Sequence, residues 1–128
     1  MDFSSVKTIA VVGLSSNPAR ASYDVADYLQ HCGFKIIPIN PSEEKILGEK
    51  CYPDLLSVPE DIKIDVVNIF RRSDQVLPIA LQAITKKPVV IWMQEGVINE
   101  EAKVLAEKAG IEVIMDACIK KVHRRSQS

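Results

Sequence analysis

Directly after the apolar run 8–12, the chain reads Gly13-Leu-Ser-Ser-Asn-Pro-Ala-Arg20. A glycine at that point lets the backbone turn tightly and lets a ligand approach it closely. Ser15 and Ser16 can donate to phosphate oxygens, as can the free N–H groups that open a following helix. Arg20 can add a charge-assisted, bidentate contact. A helix end alone contributes about 0.3–1 kcal/mol toward an anion at an exposed site, so Arg20 is expected to matter more. By itself the segment fits two readings, a phosphate cradle and an ordinary strand-to-helix loop with a solvated arginine.

Two absences narrow the ligand. An NAD fingerprint needs G-x-G-x-x-G here and an acidic residue near the end of the second strand. The chain has only Gly13 of the three glycines, and its second strand ends in Asn40-Pro41. No G-x-x-x-x-G-K-[ST] run occurs either, which argues against a Walker-type ATP site.

Other groups carry weaker chemistry. Arg71 and Arg72 follow a strand, where phosphate contact and surface ion pairing both fit. Cys118 is the candidate nucleophile, because a nearby helix start and Lys or Arg could lower its thiol pKa; a small semi-buried residue is the other reading. His31 and His123 lack metal spacing and read as surface residues, while Trp92 reads as core. Lys120, Lys121, Arg124 and Arg125 form a basic tail that suits a helix C-terminus. The three cysteines, Cys32, Cys51 and Cys118, give no disulfide framework and no C-x-x-C pair. No G-x-S-x-G or H-E-x-x-H motif is present.

The elements that must position these groups follow from apolar patterning. Short buried strands are expected at 8–13, 34–39, 64–70, 89–93 and 111–115. A first helix is expected with Ser22 as its N-cap and Gly33 at its end. A second is expected over 74–85, capped by Ser73 and strained by Pro78. Asn99 caps a third, with Glu100 and Glu101 at its positive end and Gly110 closing it. Residues 42–62 read as irregular with one helical turn near Leu55, residues 118–125 as a last helical turn, and 126–128 as loose. The pattern predicts an α/β fold: a three-layer Rossmann-like open parallel five-stranded sheet with helices on both faces, in a single domain, 1–128. Apolar residues at 47% with only 5% aromatics fit a Val/Ile/Leu/Ala core of that kind.

In such sheets ligands bind beyond the carboxyl ends of the strands. The residues expected there are Gly13, Ser15, Ser16 and Arg20, then Asn40 and Pro41, then Phe70-Arg71-Arg72, then Gln94-Glu95-Gly96, then Asp116-Ala117-Cys118. The formal net charge of -1 supplies no broad basic field, so no nucleic-acid and no membrane partner is expected. No signal peptide or transmembrane run is visible, which leaves a cytoplasmic protein as the expectation.

The runs 12–20, Ile37-Pro-Ile-Asn-Pro41, Ile46-Leu-Gly48, Val67-Asn-Ile-Phe-Arg71, 91–97 with 99–102, and Met115-Asp116 with Cys118 together resemble the stand-alone CoA-binding domain family. That family is similar to the Rossmann-like CoA-binding domain of the succinyl-CoA synthetase alpha subunit. The resemblance implies coenzyme A (or acyl-CoA) as ligand. It puts phosphates on Gly13, Ser15, Ser16 and Arg20, adenosine beside Asn40 and Pro41, Phe70 and Arg71 on the next edge, and pantetheine toward Gln94 and Gly96. Cys118 belongs to the implied binding set, although Ala117 stands where the family usually has arginine. With no second domain to carry phosphohistidine chemistry, a non-catalytic and regulatory binding module is expected. The alternatives are a thiol-dependent CoA-handling enzyme using Cys118 and an NADP-binding oxidoreductase-type domain.

Overall fold

The five main strands are β1 (Thr8–Val12), β2 (Lys35–Ile39), β5 (Val66–Ile69), β6 (Val90–Met93) and β7 (Glu112–Ile114). They form one parallel sheet in the order β2-β1-β5-β6-β7. This is a computed structural model, and it describes residues 1–127. The central strands are almost continuously apolar or β-branched because both of their faces are covered, the exception being the buried Asn68 of β5. Helices α1 (Ala21–His31) and α4 (Ile119–Ser126) cover one face, packing Val25, Leu29 and Ile119 with Ile9, Val11 and Trp92. Helices α2 (Val76–Lys86) and α3 (Glu100–Lys108) cover the other, packing Ala80, Ala83 and Ala106 with Ala10, Val67 and Ile91. The expected three-layer Rossmann-like architecture is therefore present. None of the helices among the described residues is long and apolar enough to cross a membrane.

Several local expectations are corrected. Residues 42–62 contain a hairpin, β3 (Lys45–Ile46) with β4 (Glu49–Lys50), as well as a 3-10 turn at Leu55–Ser57. Its two-residue turn places Leu47 at φ 54 and Gly48 at φ 76, both in the left-handed region that tight hairpins require. Strands of two residues are too short to show alternation, which hid them in the sequence. Ile46 is buried and Gln30 Nε2 donates to the Leu47 carbonyl at 3.0 Å, so the hairpin is fastened to α1.

Helix α1 begins at Ala21 with Arg20 in the N-cap position, and Ser22 lies inside the first turn. Ser22 Oγ accepts instead from the Ser15 N–H at 3.0 Å, bracing the loop rather than capping the helix. Ser73 starts a 3-10 turn, Ser73–Gln75, and α2 grows out of it. Pro78 is the third residue of α2, where its missing N–H leaves no intrahelical bond unmade. Asn99 does cap α3, accepting from the Ala102 N–H at 2.9 Å. The last turn is a longer helix that includes Ser126; Ser128 lies outside the described residues.

His123 is buried rather than on the surface, at 7% exposed. Its Nδ1 meets the Tyr28 hydroxyl at 2.7 Å, and the rings of Phe3 and Phe34 stand edge-on to it at 5.0 and 5.3 Å. Burial holds its pKa below the ordinary imidazole value. His31 is exposed, as expected, and Trp92 is core, with its Nε1 donating to the Ala117 carbonyl at 2.8 Å.

Candidate functional site

Strand order reverses between β1 and β5: the chain goes from β1 outward to β2, then returns to β5 on the other side. At such a switch point the two flanking loops separate and leave a crevice beyond the strand ends. Gly13 and Phe70 form its floor. Gly13 N–H donates to the Ile39 carbonyl at 3.0 Å, and Phe70 N–H donates to the Val12 carbonyl at 2.8 Å. Gly13 has φ +84, and a Cβ built on it would stand 2.3 Å from the Phe70 carbonyl oxygen. Only glycine lets the chain turn into the loop this close to its neighbour.

Two clefts open from this floor and share Gly13 and Arg71 in their walls. One, of about 210 Å³, is walled mainly by apolar groups such as Ile39, Pro41, Leu55 and Ile79, with Asp54 and Gln82 among its polar groups. The other, of about 340 Å³, is walled by Ser15, Arg20, Phe70, Arg71, Arg72 and Gln94 among others. An apolar slot joined to a polar, cationic one suits a ligand with a flat or apolar end and an anionic middle.

The loop between β1 and α1 is tightly organised. Ser15 Oγ accepts from the Asn17 N–H and Asn17 Oδ1 accepts from the Ala19 N–H, both at 3.0 Å. The N-cap residue Arg20 makes no side-chain bond to the first turn of α1. The other helices are provided for: α3 by Asn99, α4 by Gln94 Oε1 on the Ile119 N–H at 2.9 Å, and α2 by the 3-10 turn before it. Helix α1 alone opens onto the groove with its first-turn donors uncapped by side chains among the described residues.

Charge at the rim is unevenly balanced. Arg72 pairs with Asp74 at 3.3 Å, Lys120 with Asp24 at 2.8 Å and Lys121 with Glu95 at 3.1 Å. Arg20 has no acidic partner among the described residues, and Arg71 bonds only the neutral Gln75 amide, at 3.2 Å. Two exposed guanidinium groups are thus left for an anion.

Of the eleven residues that the resemblance assigns to the ligand, Gly13, Ser15, Arg20, Pro41, Phe70, Arg71 and Gln94 line these clefts. The other four stand behind or beside them. Asn40 is a clamp: Nδ2 donates to the Leu14 carbonyl at 2.9 Å and Oδ1 accepts from the Ser42 N–H at 2.7 Å. Ser16 donates to Glu43 at 3.1 Å. Gly96, at φ +81, gives its N–H to Asp116 Oδ1 at 2.7 Å, fastening the β6 exit to the β7 exit. Cys118 is 8% exposed in the N-cap position of α4, packed with the cluster that includes Trp92 and Ile119. Asp54 and Gln82 also line the apolar cleft, outside the set the sequence points to. They come from a 3-10 turn cap and the middle of α2, joined through Gln82 Oε1 and the Leu55 N–H at 3.2 Å, and nothing local marks such a pair.

The chain is similar to several known proteins. The chain is 44% identical over 117 residues to the uncharacterized protein YneT of Bacillus subtilis, covering 91% of this chain and 85% of that one. It is 28% identical over 122 residues to the ADP-forming acetate–CoA ligase of Methanocaldococcus jannaschii, but spans only 17% of that protein. It is 27% identical over 126 residues to the alpha subunit of ADP-forming acetate–CoA ligase II of Pyrococcus furiosus, and spans 28% of it. A hypothetical protein of Pyrococcus horikoshii superposes with a TM-score of 0.93 at 36% identity, covering 98% of this chain and 87% of that one. A family model described as a CoA binding domain matches residues 7–124, and the chain belongs to that family.

Proposed function

We propose that this protein binds coenzyme A, free or acylated, across the β1/β5 switch point and serves as a binding module without a reaction of its own. The observation that carries this reading is the uncapped start of α1 opening toward Arg20 and Arg71, neither of which has an acidic partner among the described residues. The diphosphate lies there, on Ser15 and the first-turn N–H groups, where backbone dipoles and guanidinium charge add. The adenosine takes the apolar cleft beside Pro41 and Ile79, and the pantetheine runs past Phe70 toward Gln94. Membership of the CoA binding domain family supports the ligand, and the acetate–CoA ligase relatives supply the nearest named chemistry. Those ligases are several times longer, so their reaction is not carried to this chain. Besides the carboxylates of Asp54 and Glu95, the groove walls offer donors and positive charge for an anion and apolar surface for a flat ring. A regulatory role follows if the bound and free forms present different surfaces to a partner.

The test is calorimetric titration of the purified protein with CoA, dephospho-CoA, ADP and NAD. CoA is expected to bind best, with ADP retaining part of the affinity. Binding of NAD without binding of CoA would overturn the reading.

A further inference from the structure

The loops after β1 and β2 are joined twice. Beneath the surface Asn40 Nδ2 holds the Leu14 carbonyl at 2.9 Å. At the rim the Ser16 hydroxyl donates to Glu43 Oε1 at 3.1 Å, and both residues are exposed. The two fastenings differ in charge, since the inner one is neutral and the outer one ends in a carboxylate.

Glu43 is also treated differently from Asp24 and Glu95. Asp24 and Glu95 are neutralised by Lys120 and Lys121. Glu43 forms no ion pair with a lysine or arginine among the described residues; its partner is a hydroxyl of the phosphate loop. An unneutralised carboxylate therefore occupies a donor beside the place proposed for the diphosphate, while Arg20 and Arg71 wait without acids.

We propose that Glu43 is a specificity-determining residue: it occupies Ser16 in the free protein and opposes phosphate-bearing ligands in proportion to their charge at this loop. The inference rests on the reading that the groove binds CoA. A phosphate arriving at Ser15 meets a like charge that the neighbouring Ser16 hydroxyl holds beside it, whereas the arginines draw it in. The balance sets an affinity below what the cationic groove alone would give.

The experiment is calorimetric titration of the wild type and Glu43→Gln with CoA, ADP and adenosine. Glutamine keeps the size and an acceptor oxygen while removing the charge, and the exposed position does not threaten folding. The variant should bind CoA and ADP about threefold to tenfold more tightly, as expected for removing one like charge at short range, and adenosine equally well. An unchanged or weaker affinity for CoA in the variant overturns the inference alone, as does an equal gain for adenosine, which would show a loosened loop rather than a charge effect. Failure of the wild type to bind CoA overturns the functional reading and this inference with it.

Discussion

The carbonyl oxygen of Phe70 stands 2.3 Å from where any side chain at residue 13 would put its Cβ, and Gly13 holds φ +84 at that point. The contact joins the ends of β1 and β5 at the switch point, so the crevice exists only as long as residue 13 has no side chain. Gly13→Ala combines a left-handed conformation costing about 1–2 kcal/mol with an overpacking cost of about 1–3 kcal/mol. The expected outcome is a lower urea midpoint and loss of CoA binding under conditions where the variant is still folded. Circular dichroism with calorimetry checks both.

Arginines with and without acidic partners should separate on mutation. Arg20→Ala and Arg71→Ala each remove a charge-assisted contact of about 1.5–3 kcal/mol, roughly tenfold to a hundredfold in CoA affinity. Arg72→Ala should cost less, because Asp74 already holds that side chain. The salt dependence of binding should fall in the first two variants. Titrations at low and high ionic strength make the comparison.

The His123–Tyr28 pair predicts a pH effect on stability. Burial holds the folded-state pKa of His123 below that of the unfolded chain. As pH falls, the unfolded state takes up the proton first, so stability is full above the unfolded value of about 6.5 and declines below it. Urea midpoints between about pH 7.5 and 5.5 should drop more steeply for the wild type than for His123→Gln, which does not titrate. The exposed His31 is common to both proteins and cancels.

Asn68 lies on β5 between Val11 and Trp92, fully buried, and neither side-chain atom of its amide has a hydrogen-bond partner. A buried polar group left unpaired costs about 1–3 kcal/mol. Asn68→Val, which also suits a central strand, should raise the urea midpoint with an unchanged slope.

The three thiols should differ in reactivity. Cys32 is exposed, whereas Cys51 and Cys118 are buried, and burial also pushes the Cys51 thiol pKa up. A disulfide reagent should modify one thiol quickly and two slowly in the native protein. Fast modification of Cys118 would reopen a thiol-dependent activity there.

Local patterning alone determined the order of the five main strands and of the helices between them. Buried runs of Ile and Val marked the five strands, Asn99 its helix start, and Gly33 and Gly110 the helix ends, because these signals lie within a few residues of what they specify. The left-handed Leu47-Gly48 turn leaves no periodic signal in the sequence because its strands are two residues each. His123 looked like a surface residue because nothing within a turn of it reveals Phe3, Tyr28 and Phe34.

The site divides the same way. Gly13, Ser15, Arg20, Phe70 and Arg71 were legible as a group because a parallel α/β sheet gathers its strand exits on one edge. Which of them face the groove and which brace it was decided by contacts across long stretches of chain: Asn40 on Leu14, Gln94 on Ile119, Gly96 on Asp116. Whether an arginine is free or paired depends likewise on which acids the folded chain brings beside it. Residue type and spacing set what each group can do; only the tertiary structure decides which partners are near enough to use up that capacity.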